Sequence, residues 1–151
     1  MQISARADYA VRALAELAAA GSGPVKSERL AKAQRIPAKF LENILSELRH
    51  AGLLLSQRGA DGGYWLGRPA AEITLADIIR AVDGPLANVR GQRPETIDYE
   101  GAAARLSDVW IAVRASLRVV LEQVTLADLV DGPLPPAVLV LVTDPEARHS
   151  H

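Results

Sequence analysis

The chain has 151 residues, 49% of them hydrophobic and 23% charged, with no cysteine and a formal net charge of −1. That size and balance fit one ordinary folded domain, or a small domain with an appended oligomerisation helix, and the missing cysteine excludes disulfides, thiolate catalysis and cysteine-held metal clusters. No apolar run reaches the roughly 18 residues of a membrane span and Met1–Arg6 enters an amphipathic pattern without a signal-peptide layout, so no membrane association is expected and the cytoplasm is the expected compartment.

Ser4 is placed to cap a first helix that runs to Ala20 and closes at Gly21. Tyr9, Ala10, Ala13, Leu14, Leu17 and Ala18 recur at the three/four spacing of one buried stripe. After a turn over Gly21–Pro24, Ser27 is read as the cap of a short helix from Glu28 to Gln34, with Leu30 and Ala31 inward. Arg35-Ile36 makes the next turn, and Pro37 suits the first turn of a third helix that runs to Ala51 and ends at Gly52. Its expected core face is Phe40, Leu41, Ile44, Leu45 and Leu48. Two helices joined by a short turn, the second longer and polar outside, make a helix-turn-helix.

Leu53–Leu55 and Tyr64–Leu66 then read as the strands of a hairpin, with Gly59, Gly62 and Gly63 permitting a tight turn and a close approach to phosphates. A glycine-rich hairpin with Arg58 at its shoulder, directly behind an amphipathic helix, is how a winged helix-turn-helix meets double-stranded DNA. The helix enters the major groove and the hairpin reaches backbone or minor groove. Tyr64 and Trp65 alternate across the strand, so one faces in and one out; Tyr64 is read as core and Trp65 as core or edge packing, with packing on the DNA backbone or the neighbouring loop as the alternative.

Thr74 caps a helix from Leu75 to Val82, stopped by Asp83-Gly84-Pro85, and Leu86–Glu100 reads as a loop. From Ala102 to Val124 a long helix carries Leu106, Val109, Trp110, Val113, Leu117, Val120, Leu121 and Val124 at alternating three and four spacing. So long a stripe points to a partner helix, here a second copy of the chain, although packing onto its own domain would leave the same pattern. A homodimer through 102–124 also supplies the two half-sites a helix-turn-helix needs. Thr125 caps a last short helix, Leu126–Val130. The apolar, β-prone stretch Leu134–Val142 either adds a strand or covers the dimer helix, and the His149-x-His151 tail is read as disordered rather than as a metal site.

The fold class is therefore mainly α with a small β-hairpin. The divisions are a winged helix-turn-helix domain at 1–84, a loop at 85–100, a dimerisation helix with a short helix at 101–131, and a tail at 132–151. Charge divides along the same line. Residues 1–69 hold ten basic and six acidic residues, a net +4, and residues 70–151 hold seven and twelve, a net −5. Phosphate binding needs a basic face, not a basic protein.

The candidate DNA contacts follow from position. Lys39, Glu42, Asn43 and Ser46 share the outer face of the third helix. Lys39 can reach a phosphate, Glu42 can accept from a cytosine amino group, and Asn43 can take adenine or a phosphate. Lys26, Ser27 and Arg29 stand at the start of the second helix, where an N-terminus favours phosphate. Arg58, beside Gly59, can enter a narrow minor groove, while Asp61 is unfavourable near phosphate and is read as a brace of the turn. His50 suits the C-terminal dipole of the third helix. Each of these could also be ordinary solvated surface. No phosphate-binding loop, HExxH motif or nucleophile–histidine pairing is present, so an enzyme is not expected.

These segments together resemble the Rrf2 family of bacterial transcription regulators. The resemblance is carried by Tyr9–Leu14, Ile36–Leu45, Leu48–Leu53, Ser56–Leu66, Ile73–Ile79 and Thr125–Leu129, in family order. It implies a winged helix-turn-helix dimer joined through the long helix, a base-reading glutamate at Glu42 and a DNA-contacting wing arginine at Arg58. The best-known members hold an iron–sulfur cluster on three cysteines in the loop before the dimer helix, whereas Leu86–Arg105 contains none. One branch adds an acid and a histidine from the first helix, where this chain has Asp8 and Arg12, and arginine is no iron ligand. The expectation is a cysteine-less, cluster-free member, similar to others controlled by partner proteins or small ligands. Its expected function is sequence-specific DNA binding as a homodimeric repressor on a pseudo-palindromic operator. The alternative is a protein-interaction adaptor that binds an enzyme or RNA polymerase, with DNA contact secondary. An effector, small molecule or protein, is expected at Leu86–Arg105 or beside the dimer helix, with Trp110 and Tyr9 as candidate lining.

Overall fold

In the computed structural model, which describes residues 1–150, the Ser4 hydroxyl accepts from the Ala7 amide at 2.9 Å and starts α1 (Ala5–Ala20). His151 of the expected tail lies outside the described residues. Ala7, Ala10, Ala13, Leu14 and Leu17 form the buried stripe of α1, with Tyr9 and Ala18 half-buried at its margins.

The second helix, α2 (Ser27–Gln34), begins one residue before the expected start. Lys26 is its N-cap, in extended conformation, and Ser27 is the first helical residue with no capping bond. The reason is long-range. Val25 and Tyr64 exchange both of their backbone hydrogen bonds at 2.8 Å, which keeps the chain extended up to Lys26.

α3 (Ala38–His50) buries Leu41, Ile44, Leu45 and Leu48. Phe40, expected on that face, is 59% exposed. At about 100° per residue it sits roughly a quarter turn from the centre of the stripe, too far round to reach the core. β1 (Leu54–Gln57) and β2 (Gly63–Leu66) pair antiparallel, with Leu54 opposite Leu66 and Gln57 opposite Gly63. Tyr64 packs half-buried against the core, and Trp65 is half-buried as well.

α4 (Leu75–Asp83) and α6 (Leu126–Asp131) open on the same four residue types, Thr-Leu-Ala-Asp. In each, the threonine hydroxyl accepts from the aspartate amide and the aspartate carboxylate accepts from the threonine amide, the reciprocal bonds of a capping box. The two caps also pair with each other. The Leu75 amide donates to the Val124 carbonyl at 2.9 Å, and the Leu126 amide to the Ile73 carbonyl at 3.0 Å. That bridge seats Leu126, fully buried, in the core beside Ile73 and Ile78.

Between these caps runs α5 (Leu106–Leu121), shorter at both ends than the expected 102–124. A 3₁₀ turn, Gly101–Ala103, takes its first residues, and the pairing of Val124 with Leu75 takes its last. No α5 residue is fully buried within the chain, and Val109 and Val119 are about half exposed, at 50% and 49%. The segment 85–100 is irregular, as expected, apart from a 3₁₀ turn at Pro94–Thr96 and a tight turn closed by Val89 and Gln92.

The apolar tail adds no strand. It forms a helix, α7 (Pro136–Thr143), whose Val138 is buried while Leu139–Val142 stay exposed. The helix starts at Pro136, where a missing amide is no loss, and its backbone is satisfied locally without a sheet edge to join. Among the described residues, no helix is long and apolar enough to cross a membrane.

Candidate nucleic-acid interface

The turn between α2 and α3 is built from three different constraints. Arg35 adopts the left-handed conformation (φ 53°), with its amide bonded to the Ala31 carbonyl, Ile36 is buried, and Pro37 precedes α3. Arg12 of α1 holds the α2 end of that turn. Its guanidinium pairs with Asp8 at 2.8 Å, donates to the Gln34 side chain at 3.3 Å and to the Gln34 carbonyl, and lies 5.1 Å over the Tyr9 ring. A cation on the last carbonyls of a helix is electrostatically favoured. From the other end of α1, Arg6 pairs with Glu47 of α3 and donates to the Val82 carbonyl of α4 at 3.3 Å. Together these contacts fix which face α3 turns outward.

On that outward face Lys39, Glu42 and Asn43 are exposed and Ser46 is half-buried. Lys39, Glu42 and Asn43 make no side-chain hydrogen bond or ion pair among the described residues. Phe40 stands among them, three residues before Asn43 and therefore on its side of the helix. The sequence pattern assigned Phe40 to the core. The usable signal was its place at the stripe's edge in the first turn of the helix. His50 donates from Nδ1 to the Ser46 carbonyl at 2.7 Å, as a residue serving the helix C-terminus should.

The wing stands beside α3, and Arg49 near the end of that helix lies 3.4 Å from the Ser56 hydroxyl on β1. Two glycines are required by close approach. A Cβ at Gly62 would lie 2.1 Å from the Gln57 carbonyl oxygen, and one at Gly63 (φ 149°) would lie 2.7 Å from the Val25 carbonyl. Arg58 is exposed and without a partner among the described residues, next to Gly59 (φ 105°). Asp61, expected to brace the turn, makes no hydrogen bond or ion pair among the described residues. The brace comes from elsewhere: the Gly59 carbonyl accepts from the Gly62 amide at 3.1 Å and from Lys26 Nζ at 2.6 Å. Ser27 is half-buried and Arg29 exposed along the same flank. Lys26, Arg29, Lys39 and Arg58 thus bring four cations to elements that also present Glu42 and Asn43. No sequence signal marked the Lys26–Gly59 contact, because it joins residues 33 positions apart.

The carboxyls with perturbed acidity lie away from this surface. Glu122 is held below the ordinary carboxylate range, first by the Arg80 hydrogen bond and then by Arg118, and so links α4 to α5. Glu95 is lowered by its own backbone hydrogen bond and by Arg114 of α5, 2.7 Å away.

A helical head with a hairpin wing beside the second helix of a helix-turn-helix defines the winged helix-turn-helix class of DNA-binding transcription regulators. The profile of the Rrf2 family, described as "Iron-dependent Transcriptional regulator", matches residues 3–132, and the chain belongs to that family. It is 50% identical over 151 residues to a Mycobacterium tuberculosis protein, Rv1287, described as a candidate HTH-type transcriptional regulator; the match covers 99% of this chain and 94% of that one. It is 38% identical to the HTH-type transcriptional regulator CymR of Bacillus subtilis, over 85% of this chain and 89% of that one. Among solved structures it resembles CymR of B. subtilis, titled the global cysteine regulator, with a TM-score of 0.73 at 37% identity, covering 87% of this chain and 97% of that chain. It also resembles IscR of T. potens, with a TM-score of 0.69 at 31% identity, covering 100% and 93%.

The family description implies iron, and the residues present do not fit a thiolate-held group. The chain has no cysteine. Arg12, which can supply no iron ligand, is engaged by Asp8 and Gln34. Among the described residues, no three of His, Cys, Asp and Glu gather to hold a metal ion.

Proposed function

We propose that this chain is a homodimeric, sequence-specific repressor acting on a pseudo-palindromic operator without an iron–sulfur cluster. The observation that carries the reading is the unpartnered set Lys39, Glu42, Asn43 and Arg58, exposed on a helix and wing that the rest of the head holds in one orientation. Glu42 accepts from a cytosine amino group and Asn43 reads adenine or a phosphate, while Phe40 packs on a thymine methyl. Ser27, Arg29 and Lys39 hold phosphates, and Arg58, with the Gly59 backbone, follows the minor groove.

The second copy joins through 102–124. An apolar groove of about 500 Å³ along Val109, Val113, Leu117 and Leu121, left open by the chain's own packing, supports that assignment. Release from DNA comes from an effector, small molecule or protein, that wedges the head against α5. A groove of about 450 Å³ lies there, between Ile3, Ile79, Leu86, Leu117 and Leu121. Trp110 lines the adjoining hollow with Arg90, and its Nε1 is buried without a partner. Tyr9 does not join that lining and instead sits under Arg12.

The test uses duplexes selected by the protein from random DNA. Glu42→Ala and Arg58→Ala should each lose about 1–3 kcal/mol of binding to the selected site with the melting temperature unchanged. Binding untouched by either substitution would favour the adaptor reading.

A further inference from the structure

The position of Lys26 at the start of α2 suits a phosphate contact, but its ammonium is directed elsewhere, 2.6 Å from the Gly59 carbonyl oxygen. Three features make that contact more than a passing surface bond. Lys26 directly follows Val25, which pairs with Tyr64 of β2 through two 2.8 Å backbone hydrogen bonds, so its backbone is already registered against the wing. Gly59 is the residue after Arg58 and has a φ of 105°, so holding its carbonyl fixes the tip one residue from Arg58 and narrows where that arginine can lie. The same carbonyl accepts the Gly62 amide at 3.1 Å, so both sides of the wing tip meet at one oxygen. The Asp61 carboxylate, the acidic group of the tip itself, has no partner among the described residues.

We propose that Lys26 is a positioning residue that clamps the wing tip onto the start of α2 and so presents Arg58 in register with α3. A two-stranded hairpin is marginally stable by itself in water. Here the Val25–Tyr64 pair holds the tip-proximal end of the strands, where Ser56 faces Tyr64 and Gln57 faces Gly63, while within the five-residue tip, Arg58 to Gly62, the Gly59 carbonyl takes both the Gly62 amide and the Lys26 ammonium. Loss of the ammonium leaves the paired strands in place up to Gln57 and Gly63 and lets the tip sample other orientations. The entropy of ordering the tip is then lost at the moment of DNA binding. Lys26 therefore acts through Arg58, and its contribution depends on that arginine being present. A lysine on a phosphate acts independently of Arg58.

The inference rests on the DNA-binding reading, and two measurements keep the two separable. The first needs no DNA. In Lys26→Met, hydrogen exchange at the Gly62 amide should quicken about fivefold, a local opening, while the Tyr64 amide, bonded to Val25, keeps its rate. Unchanged exchange at Gly62 would overturn the clamp. The second is a binding cycle over Lys26→Met, Arg58→Ala and the double variant on the selected duplex. Alone, Lys26→Met should weaken binding about fivefold, and on the Arg58→Ala background it should have almost no effect, a coupling of the size seen between interacting residues. Lys26→Arg, which keeps a long cationic donor, should restore the native affinity. An equal loss in both backgrounds, with the salt slope falling by about 0.9 in the Arg58→Ala background, would make Lys26 a phosphate contact and overturn the proposal. If no duplex is preferred by the native protein, the DNA-binding reading fails, and the exchange at Gly62 alone decides the clamp.

Discussion

Gly63→Ala should damage this protein far more than Gly59→Ala, though both glycines lie in one hairpin and both have positive φ. At Gly59 nothing lies within 4 Å of the added methyl, so only the conformational penalty applies, about 1 kcal/mol. At Gly63 the methyl would meet the Val25 backbone at 2.7–2.9 Å, which is rigid and cannot rotate aside. Relief requires parting Val25 from Tyr64, with the loss of two hydrogen bonds of about 1 kcal/mol each. With the conformational penalty added, the total is about 3 kcal/mol. At this chain length 1 kcal/mol corresponds to roughly 2–4 °C, so Gly63→Ala should lower the melting temperature by about 6–12 °C and Gly59→Ala by about 2–4 °C. Urea denaturation of both variants at one fixed protein concentration measures the difference and holds any mass-action effect of self-association constant. Equal shifts for the two variants, or a loss below 1 kcal/mol for Gly63→Ala, would refute the reasoning that backbone contact with Val25 is what requires the glycine.

Phe40→Ala should leave stability within about 0.5 kcal/mol, as for an exposed side chain, and weaken binding to the selected duplex; urea and binding titrations check both, and a core-sized loss of stability would return Phe40 to the interior. Glu122 links Arg80 to Arg118 with its acidity increased in the folded chain. Its contribution is therefore present above the unfolded carboxylate value of about 4.3 and is lost as pH falls through the lower folded value. Glu122→Gln should flatten the acid limb of the melting-temperature profile, and an unchanged acid limb would contradict the linkage. Protein purified without oxygen should be colourless and carry no stoichiometric iron; visible absorption with about one or more irons per chain would contradict the cluster-free assignment.

Local chemistry was legible in the sequence, and long-range pairing was not. The Ser4, Thr74 and Thr125 caps could be read directly, because a cap and its partner lie within three residues. The buried stripes of α1 and α3 followed from spacing, since Leu14, Leu17, Leu41 and Leu48 repeat with the helix. Three readings failed because a distant segment decided them. Val25 pairs with Tyr64, which moved the cap of α2 from Ser27 to Lys26. Val124 pairs with Leu75, which shortened α5. Lys26 reaches Gly59, which displaced Asp61 as the brace of the wing. Phe40 failed for another reason: its hydrophobicity suggested burial where the helix angle did not. The tail 134–142 is apolar and β-branched, and composition could not tell a strand from α7. The outer face of α3 was legible as a list of residues, and the free state of Lys39, Glu42 and Asn43 required the structure.

The central claim is sequence-specific DNA binding, and a salt titration tests it most directly, comparing the duplex selected from random DNA with an unrelated duplex of equal length. The account predicts a preference of about a thousandfold or more, with affinity falling steeply as salt rises because Arg29, Lys39 and Arg58 displace counterions from phosphates. Equal, weak binding to both duplexes would contradict it and put the adaptor reading in its place.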